Sequence, residues 1–207
     1  MSFDLEEIGV KPELQYETIY TTVSKDKEKN AGAFAFVYLG GDRVKCNIFE
    51  TSKTLKNILD TEQYVVNITQ DPEIFTVATL SNLDKSYFTD DEEVAILKDA
   101  GSYLIIDVEE IKEKSPRQYP VKSDGSLFEI TGKIRSMKIN DPTVKAFNRG
   151  FSCLIDSLVN YTRYHLVDDE MKKLFDERLE ENQRVINKVS DVKTIEAIEL
   201  LKKNQEK

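Results

Sequence analysis

The sequence predicts a mainly β fold with added helix: a closed barrel or sandwich over residues 1–140, then a helical segment over 141–207. Three observations carry this expectation. Strand-like runs follow one another through the first part with tight turns between them, Gly40-Gly41-Asp42 being the clearest hairpin signal. Helical periodicity there is confined to short insertions, so the alternation of strand and long helix that builds a doubly wound α/β sheet is missing. At Asp141-Pro142 the pattern changes to a helical period.

The elements follow in order. Leu14 to Ser24, rich in Tyr, Thr and Ile, reads as a strand. Lys25 to Asn30 is a charged turn, and Ala33 to Leu39 is a continuous apolar run suited to a strand buried on both faces. Arg43 to Phe49 alternates as a third strand. Residues 52–60 form a short helix with Leu55, Ile58 and Leu59 on one face, and a strand follows over 63–69. After the break at Asp71-Pro72, residues 73–80 fit strand or helix equally. Residues 82–99 read as an acidic loop with room for a short helix, and two longer strands span 103–111 and 127–139. Asp141 is a good N-cap and Pro142 suits the first helical position, with Val144, Phe147, Phe151, Leu154, Ile155 and Leu158 at helical spacing behind them. Asp168 caps a second helix carrying Met171, Leu174, Phe175 and Leu179, and Asp191 caps a third carrying Ile195, Ile198 and Leu201.

Composition narrows the function classes. The chain of 207 residues is 40% hydrophobic and 32% charged, which describes a soluble globular protein. No apolar run approaches the roughly 18–20 residues of a membrane span. The acidic start, Met1 to Glu7, lacks the apolar core of a signal peptide, so a cytoplasmic location is expected. A net charge of −9 argues against nucleic-acid binding, which draws on lysine and arginine. One histidine and two distant cysteines, Cys46 and Cys153, make a zinc site a poor fit, and both cysteines read as packing residues. The dinucleotide-binding Gly-x-Gly-x-x-Gly, the Gly-Lys-Ser/Thr phosphate loop and the Gly-x-Ser-x-Gly nucleophile elbow are all missing, and no catalytic residue is assigned.

Chemistry gathers at Thr51-Ser52-Lys53-Thr54-Leu55-Lys56-Asn57, between the third and fourth strands. The first turn of a helix offers free N–H groups and the positive end of its dipole, so it attracts an anion, most often a phosphate. Hydroxyls can donate to phosphate oxygens, and residues 42–57 set four cations against two acids. The plainer reading of such a turn is a helix cap alone. Upstream, Asn30-Ala31-Gly32-Ala33 has side chains small enough for a flat ring to approach the backbone, although a simple turn explains the same residues. Arg149 and Arg163 are fourteen residues apart, about 21 Å on a straight helix, too far to grip one small group together. Surface pairing accounts for them equally, and His165 fits a helix C-terminus.

The order of these pieces resembles the FMN-binding split β-barrel of the flavin-reductase-like superfamily. The resemblance rests on Asn30-Ala31-Gly32-Ala33, on Ser52-Lys53-Thr54-Leu55-Lys56-Asn57 and on Val65-Val66-Asn67-Ile68. In the tail, Phe147-Asn148-Arg149-Gly150-Phe151 and Thr162-Arg163 look like a family of that superfamily that adds a C-terminal helical extension. The resemblance implies FMN as cofactor and a homodimer with the flavin near the subunit interface. It implies that Asn30, Ala31 and Ala33 line the isoalloxazine, and that Thr51, Ser52, Thr54 and Asn57 hold the phosphate with Lys53 beside it. Gly32 stands where ordinary flavin reductases carry a bulkier residue. Asn67 faces either the barrel or the flavin, and Asn148 and Arg149 join the cofactor-binding set. The implied activity is electron or hydride transfer through FMN from a reduced nicotinamide or similar donor. A non-catalytic FMN carrier or sensor that recruits a partner through its helical tail is the competing reading. A different flat cofactor, haem or a deazaflavin, is a third.

Overall fold

The computed structural model describes residues 3–114 and 125–205. Two compact units divide the chain, Met1–Phe147 and Asn148–Lys207.

The first unit is built on six antiparallel strands: β1 (Gln15–Val23), β2 (Lys29–Gly40), β3 (Arg43–Phe49), β4 (Gln63–Ile68), β5 (Ser102–Lys114) and β6 (Leu127–Ile139). They close in the order β1-β2-β3-β6-β5-β4, with β4 returning to pair with β1. Alternation decides the two sides of each strand. Tyr20, Phe36, Val44, Cys46, Ile48, Val66, Leu104, Ile106 and Ile130 point inward and form the main core. Helix α1 (Lys53–Thr61) adds Leu55 and Ile58 to that interior. Helix α2 (Pro72–Leu80) covers the outside of the barrel, where Ile74 and Ala78 pack with Ile19, Ala31, Leu83 and Phe88 in a second core.

The strand pairing has one gap. β3 pairs with β2 from Phe36 to Gly40 only, then diverges while staying paired with β6 as far as Phe49. Residues 29–35 of β2 therefore keep β1 on one edge and have no strand on the other among the described residues. The chain leaves β3 at this split and turns directly into α1.

Two expectations are settled by local capping. Residues 73–80, open between strand and helix, are helical within α2 because the Asp71 carboxylate accepts from the N–H groups of Glu73 and Ile74 and Pro72 supplies a preset φ. The expected helix start at Asp141-Pro142 is corrected. Asp141 does accept from Thr143 N–H, but it also takes the Thr143 hydroxyl and closes a local turn. The chain then stays extended: Ala146 N–H donates to the Ile8 carbonyl and Phe147 bridges to Glu17. Val144 packs so tightly on Gly101 that a Cβ there would lie 2.4 Å from its own. Residues 141–147 thus belong with the barrel.

The second unit is a three-helix hairpin of α3 (Arg149–Arg163), α4 (Asp169–Val189) and α5 (Val192–Gln205). Asn148, Asp168 and Asp191 cap the three starts, accepting from the N–H groups of Gly150, Met171 and Thr194. Leu154, Leu179, Ile186, Ile198 and Leu201 make its core. Beside this core, the adjoining face of α3 carries Phe151, Ile155, Leu158 and Val159, all exposed, with Phe151 at 62%. No helix among the described residues is long and apolar enough to cross a membrane.

Candidate functional site

The first turn of α1 sits in the split between β2 and β3. Ser52 is its N-cap, in extended conformation, and its hydroxyl accepts from Thr54 N–H at 3.2 Å. Thr51 and Lys53 are exposed beside it, and Ser52 is half-buried. Lys53 reaches the Glu28 carboxylate at 3.4 Å across the turn.

Thr54 and Asn57 lie one layer deeper, 2% and 3% exposed. The Asn30 side-chain amide donates to Thr54 Oγ1 at 3.0 Å, and the Asn57 amide donates to Thr22 Oγ1 at 2.9 Å. These buried pairs join the helix start to β2 and β1, so both residues hold the turn in place. Thr54 still has a hydroxyl hydrogen to offer, since its oxygen acts here as an acceptor. Gly32 is required by proximity. A Cβ there would lie 2.6 Å from Phe34 Cε2 and 3.1 Å from Thr54 Oγ1. The small residue at this position lets α1 and the Phe34 ring approach the strand together.

Successive β2 residues face opposite ways, so Asn30 and Gly32 meet α1 while Ala31 and Ala33 pack toward the second core. The open edge of β2 is partly claimed by Asn82, from the loop after α2. Its Oδ1 accepts from Ala31 N–H at 2.8 Å and its Nδ2 donates to the Lys29 carbonyl at 2.9 Å. Beyond Asn82 the loop continues to Phe88, 1% exposed. Between this loop, the 26–29 turn and the start of α1 lies a cleft of about 760 Å³, walled by Lys27, Lys29, Lys53, Asn82, Lys85 and Phe88. That volume is within the range of small-ligand sites.

Asn82, Phe88 and Lys29 escaped the sequence reading because a loop has no periodicity to mark its inward side chains. Asn67, for which two directions were open, points out of the barrel. Its amide donates to the Ile19 carbonyl at 3.1 Å and to Thr21 Oγ1 at 2.8 Å, and its oxygen accepts from Leu97 N–H at 3.0 Å. Both donors and an acceptor position are spent on fixing the 94–97 segment to β1. Asn148 and Arg149 belong to the helical unit, where Asn148 also donates to the Val189 carbonyl at 2.6 Å. Arg149 and Arg163 are the first and last residues of α3, and His165 is exposed with its ring edge-on to Tyr164.

Burial disfavours the thiolate of both cysteines, pushing the Cys46 thiol up to about 12 and raising Cys153 as well. Among the described residues no group of His, Cys, Asp and Glu could hold a metal.

A six-stranded antiparallel barrel, split between two neighbouring strands with a capped helix seated in the split, is a split β-barrel fold. The chain belongs to the family described as Protein of unknown function (DUF447). The N-terminal domain of that family matches residues 16–123, and its second domain matches residues 148–203. Among solved structures, the FMN-bound protein MM1853 from Methanosarcina mazei, of the same family, is 23% identical. It aligns over 97% of this chain and 99% of its own with a TM-score of 0.55. A flavin reductase domain protein from Arthrobacter sp. FB24 is 13% identical over 61% of this chain and 79% of its own, with a TM-score of 0.51.

Proposed function

We propose that this chain is an FMN-binding protein that works as a cytoplasmic homodimer and carries out flavin-dependent electron or hydride transfer. The observation that carries the reading is the position of α1: its capped first turn opens into the split beside the unpaired edge of β2, next to a cleft of suitable size. The FMN carried by the Methanosarcina mazei relative supports the choice of ligand.

The residues present fit the group. Thr51 and Ser52 hydroxyls, the Thr54 hydroxyl and the first-turn N–H groups of α1 would hold the phosphate, with the Lys53 ammonium adding charge. Asn57 would support the turn from beneath. Asn30, Ala31, Gly32 and Ala33 would form the ring-side wall through the β2 backbone, with the Ala31 and Ala33 side chains turned to the second core and Asn82 holding the edge at Lys29 and Ala31. Asn67 drops out of the set because its hydrogen bonds are structural, and Asn148 and Arg149 are left to the helical unit. When bound, FMN supplies the redox chemistry, and no side chain of this chain is needed as acid or base. The exposed apolar patch of Phe151, Ile155, Leu158 and Val159 on α3 supports the homodimer, since contiguous exposed apolar patches mark interaction surfaces.

Titration with FMN and with riboflavin tests the reading. Visible flavin absorbance in the purified protein and tighter binding of FMN than of riboflavin are the expected results. Colourless protein that gains no affinity for FMN overturns it. Anaerobic addition of a reduced nicotinamide then separates the two functions: bleaching marks a reductase, and persistent colour marks a carrier.

A further inference from the structure

We propose that Lys29 is the cation that stabilises the negative charge a bound flavin acquires on reduction, an assignment that rests on the FMN reading above. Lys29 is the first residue of β2 and immediately precedes Asn30 in the ring-side wall. Its carbonyl is held by Asn82, so the backbone from which the side chain springs is fixed. The side chain is half-buried in the wall of the cleft. Its ammonium donates to the Thr89 carbonyl at 2.6 Å and lies 5.9 Å from the centroid of the Phe88 ring.

These partners set Lys29 apart from Lys27 and Lys53, and its fixed carbonyl and buried ring partner set it apart from the exposed Lys85. Lys27 pairs with the Glu93 carboxylate at 2.6 Å, and Lys53 pairs with Glu28 at 3.4 Å. Each of those ammonium groups has a carboxylate within ion-pair distance. A carbonyl and a ring face orient the Lys29 ammonium but do not neutralise it. It is thus a positioned cation whose own contacts are neutral, in a partly water-shielded cleft where Coulomb interactions exceed their strength in bulk water. Two-electron reduction of a flavin by hydride transfer adds two electrons and one proton, leaving one additional negative charge on its pyrimidine side. A nearby fixed cation therefore favours the reduced form over the oxidised one. The cleft also carries Asp26, Glu28, Asp84 and Asp90, which oppose that charge, so loss of Lys29 leaves them unbalanced.

The test uses the full chain loaded with FMN, in the wild type and in Lys29→Met, Lys29→Gln and Lys29→Arg. Two quantities are read: affinity for oxidised FMN, and the midpoint potential from equilibrium reduction against a reference dye. Met and Gln both remove the charge, but Gln keeps a donor for Thr89. Both variants are expected to lose about tenfold in preference for reduced over oxidised FMN, a fall of about 30 mV for a two-electron couple. Arg should stay within about twofold of wild type, by the same conversion. Wild-type potential in the Gln variant means that the charge does not set the potential, and it overturns the proposal even if the Met variant fails to fold. A wild-type chain that takes up no FMN brings down the binding reading itself, an outcome visible before any potential is measured.

Discussion

Replacing Thr54 by valine separates the two roles assigned to one hydroxyl. The substitution keeps the shape of a side chain that is 2% exposed and removes only its oxygen. In the folded protein the Asn30 amide, itself 5% exposed, then loses the acceptor it reaches at 3.0 Å. A buried donor left without a partner costs about 1–3 kcal/mol, so the urea midpoint should fall while the slope of the transition stays unchanged. Binding should change separately. A charge-assisted hydrogen bond to phosphate contributes about 1.5–3 kcal/mol, so FMN affinity should drop about 10- to 150-fold. Riboflavin, which lacks the phosphate, should lose only what the loosened turn costs both ligands. Flavin fluorescence titration of both ligands against both proteins gives the ratio directly. Equal losses for FMN and riboflavin would refute the reasoning and place the phosphate away from this turn.

Other expectations follow from the same geometry. Asn67→Ala should destabilise the barrel by about 1–3 kcal/mol through the broken bonds to Ile19, Thr21 and Leu97, with the FMN-to-riboflavin affinity ratio unchanged; denaturant melts and paired titrations check both. Gly32→Ala should force Phe34 aside and crowd Thr54, costing about 1–3 kcal/mol and weakening FMN binding, and unaltered binding would show that the close approach is not needed. Cys46 gives a pH test. Its folded-state value is raised from 9.0 to about 12, so the native state keeps a proton that the unfolded chain loses. That stability is fully present below pH 9 and is lost toward pH 12, at about 1.4 kcal/mol per pH unit; Cys46→Ala should subtract this part from the alkaline slope, while Tyr20 and Tyr64, also raised by burial, keep theirs.

Much of this architecture was legible in the chain because the relevant signals are local. Alternation in Arg43 to Phe49 and the Gly40-Gly41 turn specify a hairpin whatever surrounds them. Ser52 ahead of an apolar stripe of Leu55 and Ile58 specifies a capped helix with one buried face. Asp141-Pro142 misled because the same two residues open a helix or a turn, and the choice was made at a distance by the contacts of Val144 and Ala146 with Gly101 and Ile8. The apolar residues at 144 and 147 fell at helical spacing, but one packs on the barrel and the other forms a bridge to Glu17. Within the candidate site, the residues on α1 could be found from sequence, whereas Asn82 and Lys29 could not. Their significance lies in a carbonyl and an N–H that the strand pairing leaves available, and no sequence pattern shows which edge of a strand will lack a neighbour.

The shortened contact between β2 and β3 also limits how this protein can be improved. Changes that zipped those two strands together beyond Phe36 would add ladder bonds and raise the melting temperature. They would also close the seam in which the helix start is lodged. A screen for heat resistance alone would favour such variants, and it would return sturdier barrels with no room for the proposed flavin.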